Sequence, residues 1–270
     1  MTTTFALIFA TAVVAGVFGS MLGIGGALII VPVITLFLGV PLKAAIGASI
    51  VSVIATSSAA QLVYVERGIT HTRLGMVLEL ATTLGAIAGA LTAVLVDARV
   101  LQVLFGAILL WSAWGMRRRP ADARPEGPTG LLDTSFTDPV DGRIVAYGVR
   151  RLPLGMGLSF VAGNVSGLLG VGGGSVKMPV MHLLMQVPLR AAIATSNFMI
   201  GVTAATSAAV YFGRGYVDPK VAVPTALGVL LGAQAGPRIG ARLATQTLRL
   251  IMAVTLLAFA VQMWWKAAAG

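Results

Sequence analysis

The chain has no cysteine, two histidines and nine acidic residues among 270. The first absence excludes disulfides and thiolate metal sites, although it does not name a redox compartment. The shortage of histidine and carboxylate leaves little for a metal centre or for acid–base chemistry, so no metal and no cofactor are expected. Charge is sparse altogether: 10% of residues are Asp, Glu, Lys or Arg, against about a quarter in an average soluble domain. Strict alternation of apolar and polar residues is also missing, which argues against a membrane β-barrel. What remains is apolar, with 57% hydrophobic residues and a mean hydropathy of +0.92. An all-α integral membrane protein follows, because a helix satisfies its own backbone polar groups in lipid.

The net charge of +10 resembles a nucleic-acid signature, but its distribution does not fit one. One polar stretch carries Arg117, Arg118, Arg119, Arg124, Arg143, Arg150 and Arg151, with Asp122, Glu126, Asp133, Asp138 and Asp141 among them. Arginine beside apolar spans marks a cytoplasmic loop, so the excess is one of membrane topology and no nucleic-acid partner is expected. The apolar N-terminus lacks a basic leader and has a counterpart in mid-chain, so it reads as a membrane segment rather than a signal peptide.

The chain repeats itself. Residues 22–90 lie on 169–237 without a gap, at a constant offset of 147, with about 25 identities in about 69 positions. LGIGGALIIVP (22–32) lies on LGVGGGSVKMP (169–179), and VPLKAAI (40–46) on VPLRAAI (187–193). Tyr64, Arg67 and Gly68 lie on Tyr211, Arg214 and Gly215. The expected organisation is a first membrane repeat at 1–116, a polar cytoplasmic linker at 117–149 and a second repeat at 150–270.

Each unit reads as four apolar segments, the first being about 35 residues long, too long for one span of about 20. Its centre is rich in glycine: Gly19, Gly23, Gly25 and Gly26 in one copy, Gly167, Gly170, Gly172, Gly173 and Gly174 in the other. Each glycine costs a helix about 1 kcal/mol relative to alanine. A broken, re-entrant pair of half-helices, about 12 to 14 residues each, is therefore expected, followed by three transmembrane helices. A re-entrant pair returns to its own side, so the two copies would be inverted, with about 13 basic residues on the linker side and about 5 opposite. One plain span instead would make the copies parallel, with about 12 and 6. The choice rests mainly on Arg238, Arg242 and Arg249.

The two GxGG turns, each followed at equal distance by proline (Pro32 and Pro179), are the strongest chemical feature. Backbone without Cβ lets a ligand approach amide groups closely, and a helix starting there adds its positive end. Gly25, Gly26, Gly172, Gly173 and Gly174 are thus candidate donors to a small anion; tight helix packing is the alternative use of such glycines. No strand or GK[ST] accompanies the turns, so a nucleotide loop is excluded. Ser49 and Ser196 occupy matched positions, and Thr195, Ser196 and Asn197 form a polar cluster within an apolar helix. They can bind a ligand's oxygens or hold helices together. Lys177 stands where the first copy has Ile30. It can attract an anion, snorkel, or pair with Glu79, the one acid well inside a span and the candidate proton carrier. His71 lies in a loop and His182 one turn beyond Lys177; neither carries a functional expectation.

Through these motifs the chain resembles the sulfite exporter TauE/SafE family of membrane permeases, over both halves and nearly all residues outside 117–149. The resemblance implies a secondary transporter in the bacterial inner membrane that moves a small anion, such as sulfite, thiosulfate or sulfoacetate, with a proton or sodium gradient in place of ATP. Oligomeric state, direction of transport and coupling ion stay open. A non-transporting membrane scaffold is the alternative; a membrane-embedded enzyme is a weaker one, since no catalytic constellation is visible. The turn GIGGA, with Ala27 opposite Gly174, is a mild departure.

Overall fold

The computed structural model describes residues 2–93, 97–117 and 132–269. Arg118, Arg119, Asp122, Arg124 and Glu126 of the expected linker lie outside the described residues, as do the side chains of Pro32, Lys43, Arg117 and Arg249. The first unit comprises α1 (Thr2–Leu22), α2 (Ala27–Phe37), α3 (Leu42–Glu66), α4 (Thr72–Thr92) and α5 (Ala98–Arg117). The second comprises α6 (Leu152–Leu169), α7 (Gly174–Pro179), α8 (Leu189–Gly213), α9 (Pro219–Arg242) and α10 (Thr245–Ala269), with α7 continuing as a π-helical turn over Val180–Leu184. Among the described residues, five stretches are long and apolar enough to cross a membrane: Phe5–Leu22, Ala44–Glu66, Thr72–Thr92, Leu152–Leu169 and Leu189–Gly213. The chain is a multi-span helical membrane protein.

Both glycine clusters interrupt the helices where expected. Gly23 and Gly25 have φ of +70° and +74°; Gly170, Gly172 and Gly173 have +68°, +73° and +70°. Any other L-residue would pay about 1–2 kcal/mol for that left-handed backbone. After each break the chain folds back: Gly26 lies against Ala15 and Gly19, and Gly173 against Ala162 and Ser166. The arms are less equal than the expected half-helices. α1 has 21 residues and α6 has 18, long enough to span, whereas α2 has 11. Gly16 and Gly19 do not break α1 because they are packing positions. A Cβ on Gly16 would lie 2.6 Å from Val229 O, and one on Gly19 would lie 2.6 Å from the Gly25 carbonyl carbon.

Small residues bring helices from opposite units together. Gly228, Gly232 and Gly236 of α9 lie in turn against Phe9, Val13 and Val17 of α1, so these two helices run parallel. Gly85 and Gly89 of α4 lie against Phe160 and Asn164 of α6 in the same sense. Each of these α4–α6 contacts is an α9–α1 contact displaced by the repeat offset (Gly85–Phe160 onto Gly232–Val13, Gly89–Asn164 onto Gly236–Val17). α5 and α10 run antiparallel: Trp264 Nε1 donates to Val103 O at 3.3 Å, and Gly106 lies against Ala260 and Trp264.

The polar stretch contains structure that the sequence reading did not anticipate. β1 (Thr134–Thr137) pairs antiparallel with β2 (Ile144–Tyr147) in a hairpin. Asp141-Gly142, with Gly142 at φ +69°, was the available signal, since a left-handed glycine after aspartate favours a reversal. Phe136 and Tyr147 meet edge to face at 6.1 Å on one side of this hairpin.

Candidate substrate site

The two broken segments, far apart in sequence, meet. A Cβ on Gly174 would overlap the Gly23 carbonyl oxygen and lie 2.9 Å from Ile24 Cα. Gly25 and Gly172 both face Val53 of α3 and Ile200 of α8, which are themselves one repeat apart. A Cβ on Gly25 would sit 3.3 Å from Val53 Cγ2 and 3.4 Å from Ile200 Cδ1; on Gly172, 2.7 Å from Val53 Cγ1 and 3.2 Å from Ile200 Cβ. Of the five candidate glycines, Gly25, Gly172 and Gly174 thus meet between the units, while Gly26 and Gly173 beside them pack against α1 and α6 of their own units. α2 begins at Ala27, so its first amides, which have no partner within the helix, lie beside the cluster.

The candidate hydroxyls are spent on backbone groups, Ser196 on the opposite unit and Ser49 on its own helix as well as the opposite unit. Ser49 donates to Ile46 O at 2.8 Å, with Gly170 O as a second acceptor at 3.2 Å, and Ser196 donates to Gly23 O at 2.6 Å. Gly23 and Gly170 are one repeat offset apart, as are the two serines, so each unit braces the break of the other. Two tyrosines do the same within their own units: Tyr64 donates to Ser20 O at 3.0 Å, and Tyr211 to Gly167 O at 3.2 Å. The sequence showed these tyrosines as a matched pair but not their role. Asn197 uses its amide nitrogen on Ser20 O at 2.8 Å and Ile193 O at 3.1 Å, leaving its buried Oδ1 without a hydrogen-bond partner among the described residues. Thr195 accepts the His71 backbone N–H at 3.0 Å. It therefore faces the linker-side loop rather than the glycine cluster.

Lys177 is 1% exposed. Its stem passes over Gly173, with Cε 3.2 Å from the Cβ position. Its ammonium reaches Thr203 Oγ1 at 2.5 Å and Glu79 Oε2 at 3.5 Å, while Thr203 lies 2.6 Å from Glu79 Oε1. The sequence expectation that Glu79 is the partner of Lys177 corresponds to this contact between α7 and α4. The charge is thereby balanced within the protein. The repeat-related contact between α2 and α9 has no such pair, since Ile30 and Ala226 occupy the corresponding positions.

His71 carries more than the sequence suggested. Its Nδ1 accepts the Leu74 N–H at 3.3 Å and caps α4; its Nε2 therefore bears the proton and donates to Leu132 O at 2.8 Å. Its ring meets Tyr147 edge to face at 5.9 Å. Burial pushes its pKa below the usual imidazole value; the Leu132 carbonyl opposes this, and the nearby Arg73 adds to it. A second proton would have to sit on Nδ1, facing the Leu74 N–H. Arg190 was a second omission. It is 6% exposed, donates to Gly240 O at 3.1 Å and Leu243 O at 2.6 Å, and pairs with Asp138 of the hairpin at 3.2 Å. Its alignment with Lys43 marked it as a repeated cation, but nothing local marked it as buried.

The chain is similar to several proteins whose names describe membrane transporters. "Probable membrane transporter protein YunE" of Bacillus subtilis is 28% identical over 269 residues, covering 96% of this chain and 97% of its own length. A "Probable membrane transporter protein" of Xylella fastidiosa is 25% identical over 251 residues, 91% of this chain and 89% of its own. "Probable membrane transporter protein MJ0441" of the archaeon Methanocaldococcus jannaschii is 23% identical over 265 residues, 90% and 89% of the two chains. No solved structure matches the chain. The sequence pattern of the family described as "Sulfite exporter TauE/SafE" matches residues 8–263. With two broken helices meeting between duplicated halves and a match over nearly its whole length, the chain belongs to the sulfite exporter TauE/SafE family.

Proposed function

We propose that the protein is a secondary transporter that moves a small anion, of the sulfur oxyanion or organosulfonate class, across the cell membrane by alternating access between two inverted repeats. The observation that carries this reading is the reciprocal seating of the two glycine turns, Ser49 on Gly170 and Ser196 on Gly23. Such a joint can rock about its centre without losing its pairing. Inversion is supported by the antiparallel α5 and α10, and by Arg238 and Arg242 lying beside the linker residues Pro139 and Val140. Parallel repeats would put those arginines on the far side of the membrane from the linker. Gly26, Gly172, Gly173 and Gly174 would offer amide groups to the anion, in the manner of broken helices in other carriers, whereas the Gly25 N–H bonds Gly19 O at 3.3 Å and would have to leave it to do the same.

Ser49, Ser196 and Asn197 act on this reading as braces that position the turns, and Thr195 as an anchor for the linker-side loop. Lys177 and Glu79 form the candidate coupling site, because an ion pair inside a membrane changes its stability when one member takes or loses a proton. The test is flux in proteoliposomes with a panel of sulfite, thiosulfate, sulfoacetate, phosphate and carboxylates, each under an imposed pH or sodium gradient. Saturable uptake of one class, reduced by Gly25→Val, is expected. A protein that moves none of the panel, and whose melting midpoint ignores all of it, is a scaffold rather than a carrier.

A further inference from the structure

The linker side of the molecule holds a second concentration of positive charge that the site above does not use. An open basin of about 490 Å³ is lined by Arg67, Arg238 and Arg242, with Ala241 and the hairpin residues Pro139 and Val140. A narrow crevice of about 20 Å³, room for a single water, lies next to it, bounded by Pro139, Arg190, Tyr64 and Met21 among others. Tyr64 bonds Ser20 O, three residues before the first broken turn. Basin, crevice and turn thus follow one another inward, and Pro139 lines both outer compartments.

Arg190 stands at the junction. Two of its nitrogens are fixed by the carbonyls of Gly240 and Leu243 at the end of α9. Its Nε is buried and lies in an ion pair 3.2 Å from Asp138 Oδ2, yet the direction is wrong for a hydrogen bond and that N–H has no hydrogen-bond acceptor among the described residues. Asp138 in turn spends Oδ1 on the Val140 N–H at 2.9 Å and its own N–H on Arg143 O at 2.8 Å. Its carboxylate is therefore placed by the hairpin turn, not by Arg190. A buried donor facing a negative group it cannot bond well would be better matched by a free oxyanion.

We propose that Arg190, with Arg67, Arg238 and Arg242, forms an anion-binding antechamber on the linker side, and that Asp138 is a tethered carboxylate occupying its inner seat, so that the hairpin caps the crevice until an incoming oxyanion displaces it. The ligand class, a small oxyanion, rests on the transport reading; the existence of the site does not. Long-range attraction by the exposed arginines gathers anions in the basin, and Asp138 sets the threshold for entry.

The test measures binding of sulfite, with sulfate as the inert analogue, to the purified full chain by calorimetry, and flux separately. Asp138→Asn removes the competing charge and is expected to tighten binding by about five- to tenfold. Asp141→Asn, on the same turn but paired with Arg143, leaves it unchanged. Combined Arg67→Gln, Arg238→Gln and Arg242→Gln weakens it. Because the native chain lacks cysteine, Val140→Cys with Ala241→Cys gives a clean cross-link between hairpin and α9, which saturating sulfate, unable to cleave disulfides as sulfite does, is expected to slow. Unaltered or weaker binding in Asp138→Asn, or cross-linking indifferent to sulfate, overturns the proposal. Absence of flux in the native chain, with these binding effects intact, overturns the transport reading and leaves the antechamber standing.

Discussion

Replacing Gly174 by alanine separates sequence logic from tertiary logic. By sequence the change is harmless: the first unit carries Ala27 at the matched position, and alanine favours a helix over glycine by about 1 kcal/mol. The structure predicts the reverse. The new methyl would overlap Gly23 O and approach Ile24 Cα at 2.9 Å, both of them backbone atoms held in the opposing turn. Overpacking of this kind costs about 1–3 kcal/mol, so the net effect is a destabilisation of about 1 kcal/mol. If the turns must slide past each other during transport, a barrier raised by about 1.4 kcal/mol slows flux about tenfold. Melting midpoint and proteoliposome flux read the two effects, and Ala27→Gly is the control: it loses helix propensity but leaves the gap between the turns unfilled, so flux is retained. A Gly174→Ala protein with a raised melting midpoint and native flux would refute the claim that the close approach of the two turns matters.

Other expectations follow from the same contacts. Ser196→Ala leaves Gly23 O without its donor and should cost about 1–3 kcal/mol; Ser49→Ala should cost less, because its hydroxyl has a local acceptor in Ile46 O, and a double mutant showing no coupling beyond the sum would argue against a shared joint. Lys177→Met strands Glu79 and should destabilise by about 3–5 kcal/mol, with Lys177→Met/Glu79→Leu recovering most of the loss; a double variant as unstable as the single, measured by thermal aggregation in detergent, would remove the ion pair as the cause. His71 has a folded-state pKa below its unfolded value of about 6.5, so the folded state binds fewer protons and the docking it supports is complete above pH 6.5 and declines as pH falls through that value. Limited proteolysis at Arg143 and Arg150 should accordingly speed up between pH 7.5 and 5.5, and a rate flat across that range would count against His71 as the anchor.

The duplication, the helical membrane architecture and the two breaks were legible in the sequence because each depends on local composition: apolar runs, clustered glycines, and one register kept from Leu22 to Ala90. The pairing of Lys177 with Glu79 was legible by elimination, since a buried ammonium needs a carboxylate and the spans hold one. The use of Ser49, Thr195, Ser196 and Asn197 was not. A hydroxyl in a helix looks the same whether it faces a ligand, its own carbonyls or another strand of backbone, and only the meeting of the two units supplied Gly23 and Gly170 as acceptors. Likewise, His71 and Arg190 are an ordinary loop histidine and a span-end arginine until the hairpin folds over them. What only the tertiary structure decided was which polar groups find one another across more than a hundred residues, because hydrogen bonds and ion pairs are satisfied by proximity in space, and that proximity is created by small-residue helix packing between the halves.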